Sequence, residues 1–178
     1  MKSTGVTRRI DELGRIVIPK EIRANLGIRE GERLEIFVEE DKIVLHKKMI
    51  LSTVGSLSEM LVKIVSKIYN LDILITDRNV VVATSENLTQ YLSVTLSNQI
   101  INYMDKRENY ESVNSEEIAF GNSFVSGYFF MSPILIDADV SGLLIIRKDD
   151  KITKEEQNIC KVIKEIIVKH LSISWIIS

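Results

Sequence analysis

Between positions 8 and 23 five basic residues recur, Arg8, Arg9, Arg15, Lys20 and Arg23, against the acids Asp11, Glu12 and Glu21. A guanidinium holds phosphate oxygens bidentately and reads guanine edges, whereas a lysine offers a point charge, so this set points to DNA chemistry. The surrounding residues alternate as half-buried strands do. In Val6, Arg8, Ile10 that parity would place a guanidinium on an apolar face. An isolated arginine there reads as a long side chain covering apolar surface while its head reaches water. Arg8 is not isolated, and in a dimer the whole set is doubled on one face. The chain of 178 residues carries a formal charge of -2, so the distribution of charge informs where its sum does not.

Other chemistries find less support. No nucleophile, base and orienting group recur in a recognisable motif, and no glycine-rich phosphate loop is present, so no enzyme is expected. Asp77, Asp137 and Asp139 fall at turns, where carboxylates are expected to be solvated. One cysteine, Cys160, excludes an intrachain disulfide framework and a multi-cysteine metal site. With His46 and His170 as the only histidines, zinc has too few ligands, and no cofactor or metal is expected. Cys160 lies among Ile159, Val162 and Ile163, the setting of an inert core thiol. Apolar runs fall short of the ~18 residues that span a bilayer, and the start lacks the apolar segment of a signal peptide. A cytoplasmic protein without a membrane contact is the expectation.

The elements that must position the bases follow from pattern. Residues 5–10 and 14–18 read as two strands joined through Asp11-Glu12-Leu13-Gly14, with Gly14 supplying a positive φ. Pro19 suits the first turn of a short helix over residues 20–26, which Gly27 stops. Residues 34–38 and 43–46 form a second strand pair about an acidic turn. So small a unit buries too little surface to offset chain entropy, which makes pairing with a second copy the physical expectation.

After Lys48 the pattern changes. Val54, Leu57, Met60, Leu61, Ile64, Val65 and Ile68 follow helical spacing. Strands are expected at 73–77 and 80–83, a helix from Leu88 to about Met104, strands near 117–120, 128–136 and 142–147, and a last helix from about Thr153 to Trp175. This is an α+β plan, an antiparallel sheet with packed helices. The domains are expected at 1–50 and 57–178, with a linker at 51–56. Leu57, Ile64 and Leu71, seven apart, suit either a helix seam between chains or packing on the domain's own sheet. Residues 173–177 suit core, interface or, least of all, membrane.

Thr4-Gly5, Arg8-Arg9, the run Asp11 to Pro19, Leu26-Gly27-Ile28, Leu34-Glu35-Ile36 and Ile43-Val44-Leu45 closely resemble the AbrB-like transition-state regulators. The resemblance implies a dimeric swapped-hairpin β-barrel that binds double-stranded DNA through basic residues, matched here by Arg8, Arg9, Arg15 and Arg23. Where the family often has a second base after Arg23 this chain has Ala24, a departure for which Lys20 can compensate. From about residue 55 the element order resembles a GAF domain, and an AbrB-like head on a GAF body is similar to a family of sporulation regulators. That resemblance implies control of forespore gene expression as activator and repressor, and a homotetramer joined by helices flanking the GAF domain. GAF domains often hold small molecules, so Phe120, Phe124, Tyr128, Phe129 and Phe130 invite a pocket reading beside the plainer reading as core. The alternative function is an antitoxin whose C-terminal half binds a protein partner.

Overall fold

The structure is a computed structural model that describes residues 5–26, 28, 30, 34–47, 55–136 and 138–174, the side chains of Lys47 and residues 172–174 excepted. The chain divides into two compact units, Met1–Lys48 and Met49–Ser178.

In the first unit, helix α1 (Lys20–Asn25) precedes the antiparallel pair β1 (Leu34–Glu39) and β2 (Lys42–Lys47). Register runs from Leu34 opposite Lys47 to Glu39 opposite Lys42, closed by a turn in which Glu40 adopts a φ of 51°. Pro19 stands one position ahead of the helix, as its N-cap, and its carbonyl accepts the Arg23 N–H at 2.9 Å. At the other end the Ile28 N–H reaches back to the Arg23 carbonyl at 2.7 Å, the six-to-one bond of a Schellman stop. Gly27, between them, lies outside the described residues.

The first strand pair expected from the sequence does not form within one chain. Residues 5–10 and 15–19 carry no regular secondary structure, and among the described residues no closed barrel is present. A lone two-stranded ladder is marginal in water, and Val6, Ile10, Ile16 and Val17 stay exposed. Alternation identifies strand-forming residues without saying which chain supplies their partner.

The second unit is built on an antiparallel sheet ordered β4-β3-β8-β7-β5, with β6 also pairing with β7. Its elements are α2 (Gly55–Tyr69), β3 (Asp72–Thr76), β4 (Val81–Thr84), a 3-10 turn (Glu86–Tyr91), α3 (Asn98–Asp105), β5 (Tyr110–Glu111), β6 (Glu116–Phe120), β7 (Ser123–Ile136), β8 (Asp139–Lys148) and α4 (Lys154–Ser174). Successive strand residues point to opposite faces, and the sheet uses both. Ile73, Ile146 and Phe130, aligned across β3, β8 and β7, enter a core with Val62 of α2 and Cys160, Ile163 and Ile167 of α4. Their neighbours Leu74, Ile145 and Met131 enter a second core with Ile100 and Met104 of α3, Ile118 and Phe120.

Three details depart from expectation. The helix expected over 88–104 is two pieces, because Ser93 takes a φ of 64°, Thr95 and Leu96 bridge to Val80 and Phe120, and the Ser97 hydroxyl caps α3 by accepting the Ile100 N–H at 3.4 Å. Strand β5 is only two residues long, below what period-two alternation can reveal. Asp77 is buried, not solvated: its Oδ1 accepts the Asn79 and Val80 N–H groups at 2.6 and 2.7 Å and closes the β3–β4 turn. Asp137 lies outside the described residues, while Asp139 begins β8 exposed.

Candidate nucleic-acid interface

The bases of the first unit are organised about one turn and one helix. In the turn, the Asp11 N–H donates to the Arg15 carbonyl at 3.1 Å and the Gly14 N–H to the Asp11 carbonyl at 2.9 Å. Gly14 has a φ of 75°, a conformation that costs glycine nothing and an L side chain on the order of 1 kcal/mol or more. The Asp11 carboxylate locks the loop: Oδ1 accepts the Leu13 and Arg15 N–H groups at 3.0 and 2.8 Å, and Oδ2 accepts Arg15 Nε at 2.8 Å. The Arg15 N–H, then its guanidinium, hold the Asp11 carboxyl below its usual range.

The Arg15 side chain remains 70% exposed, and Arg8 and Arg9 are also exposed. Arg8 Nη1 donates to the Thr7 carbonyl at 3.1 Å, its neighbour in the chain. Lys20 and Arg23, three residues apart on α1, share a helical face. Lys20 is exposed; Arg23 is half-buried, and its Nε is out of solvent without a hydrogen-bond partner among the described residues. Leaving a buried donor unmet costs about 1–3 kcal/mol, so this N–H has an unmet need for an acceptor among the described residues. Ala24 is exposed beside it.

Two clusters therefore emerge, Arg8, Arg9 and Arg15 flanking the turn, and Lys20 with Arg23 on α1. Among the described residues no hydrogen bond or ion pair joins one cluster to the other. What sequence reasoning missed is the role of Asp11, placed there in the connecting turn and counted as an opposing charge without its tie to Arg15. An Asp four residues before Arg15, with Gly14 between, is the signal that could have found it.

The aromatic residues of the second unit divide between two cores and one cleft. Phe120 and Phe129 are sealed in the α3-side core, where Tyr91 lies 5.5 Å from Phe120, while Phe130 faces the opposite core. Tyr128 is half-buried and Phe124 exposed. The plainer reading as core holds for Phe120, Phe129 and Phe130. A half-open cleft of about 350 Å³ does lie beside β5, lined by Glu111, Ser112, Tyr128, Phe129 and Lys151 among others. Cys160 is sealed against the sheet, and burial pushes its thiol up to about 12. Among the described residues no cluster of His, Cys, Asp and Glu could hold a metal. No helix there is long and apolar enough to cross a membrane.

Residues 7–50 match the family described as antidote-toxin recognition MazE, bacterial antitoxin. Over 47 residues the chain is 60% identical to transition state regulatory protein AbrB of Bacillus subtilis (strain 168), which covers 26% of this chain and 49% of that protein. The GAF domain of an Acinetobacter phosphoenolpyruvate-protein phosphotransferase aligns with a TM-score of 0.54 at 11% identity, covering 74% of this chain and 92% of that one. The second unit thus has the GAF fold. Stage V sporulation protein T of Bacillus subtilis (strain 168) is 34% identical over 164 residues, 89% of this chain and 91% of that protein. Head, body and their order are shared along both chains, and this chain belongs to the stage V sporulation protein T family.

Proposed function

We propose that the protein is a DNA-binding transcription regulator of sporulation, acting in the forespore cytoplasm as activator and repressor. The observation that carries this reading is the exposed arginine set about the Asp11–Arg15 turn, on a unit that shares 60% identity over 47 residues with AbrB. Arg8, Arg9, Arg15, Lys20 and Arg23 contact the duplex, the arginines by forked contacts and Lys20 as a point charge. AbrB-like heads bind DNA as swapped-hairpin dimers, and the apolar residues that one chain leaves uncovered, Ile10, Val17, Ile36 and Val38, supply the surface for the second copy.

The GAF unit sets the assembly. Helix α2 packs Leu57, Leu61, Val62 and Val65 on its own sheet, yet Met60, Ile64 and Ile68, four apart, form a second stripe that is exposed. With Val162 and Ile166 of α4 this surface joins two dimers into a tetramer. The cleft beside β5 is the place for a small molecule if the domain senses one. The match to an antitoxin family gives the alternative a footing, but antitoxin tails are commonly disordered when free, whereas this C-terminal half builds two apolar cores.

Fluorescence anisotropy with AT-rich promoter duplexes across a salt series tests the reading. The parent should lose affinity steeply, each neutralised phosphate adding about -0.9 to the slope of log affinity on log salt. Arg8→Ala, Arg15→Ala and Arg23→Ala should each weaken binding and flatten that slope while leaving the circular dichroism unchanged. Unaltered binding by all three folded variants defeats the assignment.

A further inference from the structure

The Asp11–Arg15 pair is solvent-exposed, and water screens such a pair until it adds little to stability. Yet Asp11 spends both carboxylate oxygens and its backbone on this one turn, meeting residue 15 three times: through the Arg15 carbonyl, the Arg15 N–H and Arg15 Nε. The geometry selects one edge of the guanidinium. With Nε tied to Oδ2 at 2.8 Å, the contact left to a ligand is end-on, through the paired N–H groups of Nη1 and Nη2. That fork has the spacing of guanine O6 and N7 or of two phosphate oxygens. The adjacent carboxylate also cancels much of the undirected attraction of Arg15 for any nearby phosphate, so a misaligned contact gains less than an aligned one.

We propose that Asp11 is a positioning residue that converts Arg15 from a general phosphate-binding charge into a directional, discriminating DNA contact. This rests on the reading of Arg15 as a DNA contact. Asp11 touches no DNA itself; it holds the guanidinium in the one orientation that rewards the correct duplex, and its charge penalises the others. The conformational freedom that Arg15 would lose on binding is thereby already given up in the free protein, in a turn that Gly14 makes free of strain.

The test uses the full chain and measures the ratio of affinities for a promoter duplex and for the same duplex with 7-deazaguanine in place of guanine, which removes the N7 acceptor of the fork and keeps the pairing, with its salt dependence. Asp11→Asn keeps an acceptor for the Leu13 and Arg15 N–H groups, so the turn survives while the charge and the tie to Nε are lost. The expected ratio falls on the order of fivefold, the lower end of what one bidentate contact confers. The salt slope stays as steep or becomes steeper, because the freed guanidinium now gains from any phosphate. Asp11→Glu, which moves the charge without removing it, should lower the ratio without steepening the slope. Arg15→Ala should lower the ratio by itself, and adding Asp11→Asn to it should change nothing more.

A parent-like ratio in Asp11→Asn, alongside a lowered ratio in Arg15→Ala, overturns the proposal and leaves Arg15 as a contact. Equal weakening on both duplexes reveals a merely structural turn and also overturns it. If Arg15→Ala binds both duplexes as the parent does, the reading of Arg15 fails first and the positioning role falls with it.

Discussion

Val62, Ile73, Phe129 and Ile163 of the second unit are sealed from water, whereas Leu13, Val17 and Val38 of the first, residues of the same apolar kind, stand open to it. Among the described residues of the first unit none is buried. The GAF unit carries both partners of each apolar contact, sheet and helices, in one stretch of chain. The head, among its described residues, leaves its apolar side chains exposed or half-buried. The difference teaches that the body closes its apolar surface with its own chain, while under the proposed pairing the head's stability would also depend on concentration, by mass action.

The strongest attempt to break this contrast is Phe129→Ala. The ring is fully buried between sheet and α3, and its loss should cost about 3–5 kcal/mol, read as a lowered urea midpoint at fixed protein concentration. A cost near zero would mean that the body's core is not where the cores described above place it. Val17→Asp asks the converse question in the head. Val17 is 72% exposed in one chain, so a self-sufficient head would tolerate the change within about 0.5 kcal/mol. A head completed by its partner should instead lose about 2 kcal/mol or more of association, visible as a dissociated species in sedimentation velocity.

The smallest effect sharpens the comparison at an element end. Thr153 and Glu156 form a capping box for α4: the Thr153 N–H donates to Glu156 Oε2 at 2.7 Å, and the Glu156 N–H to Thr153 Oγ1 at 3.2 Å. Partial burial favours the neutral acid, but the Lys148 ammonium at 2.7 Å and the Thr153 N–H outweigh it and hold the Glu156 carboxyl below its ordinary 4.5. A depressed carboxyl stabilises the fold above its unfolded value and stops doing so as pH falls through its folded value. Glu156→Gln should therefore cost on the order of 1 kcal/mol near neutrality, a deficit that shrinks as the solution is acidified below about pH 4. A deficit that stays constant in acid would remove the charge from the explanation.

Much of this was legible in the residues. The alternation of β1 and β2 and their acidic turn, the helical spacing of α2 and the burial of Cys160 follow from local pattern, because each is decided by neighbours close in sequence. The ladder expected over 5–10 and 14–18 is absent from the single chain, since alternation marks residues able to form a strand and does not supply the partner that a ladder needs. Ser93 and Ser97 could have warned of the break between the 3-10 turn and α3. For the aromatics, composition marked a cluster, but Phe129 and Phe130 are sequence neighbours on a strand and must face opposite cores. In the candidate interface the arginines were visible as charges, while the role of Asp11 needed the turn that brings its carboxylate to Arg15.

Cys160 has a further use that follows from where α4 holds it. A thiol pushed up to about 12 and closed off from water reacts with an alkylating reagent only in the brief intervals when the helix lifts from the sheet. With no second cysteine in the chain to compete, the rate of its modification reports the opening equilibrium multiplied by the known reactivity of an exposed thiol. The body thus contains its own gauge for the opening of α4, readable in the intact protein without an added label.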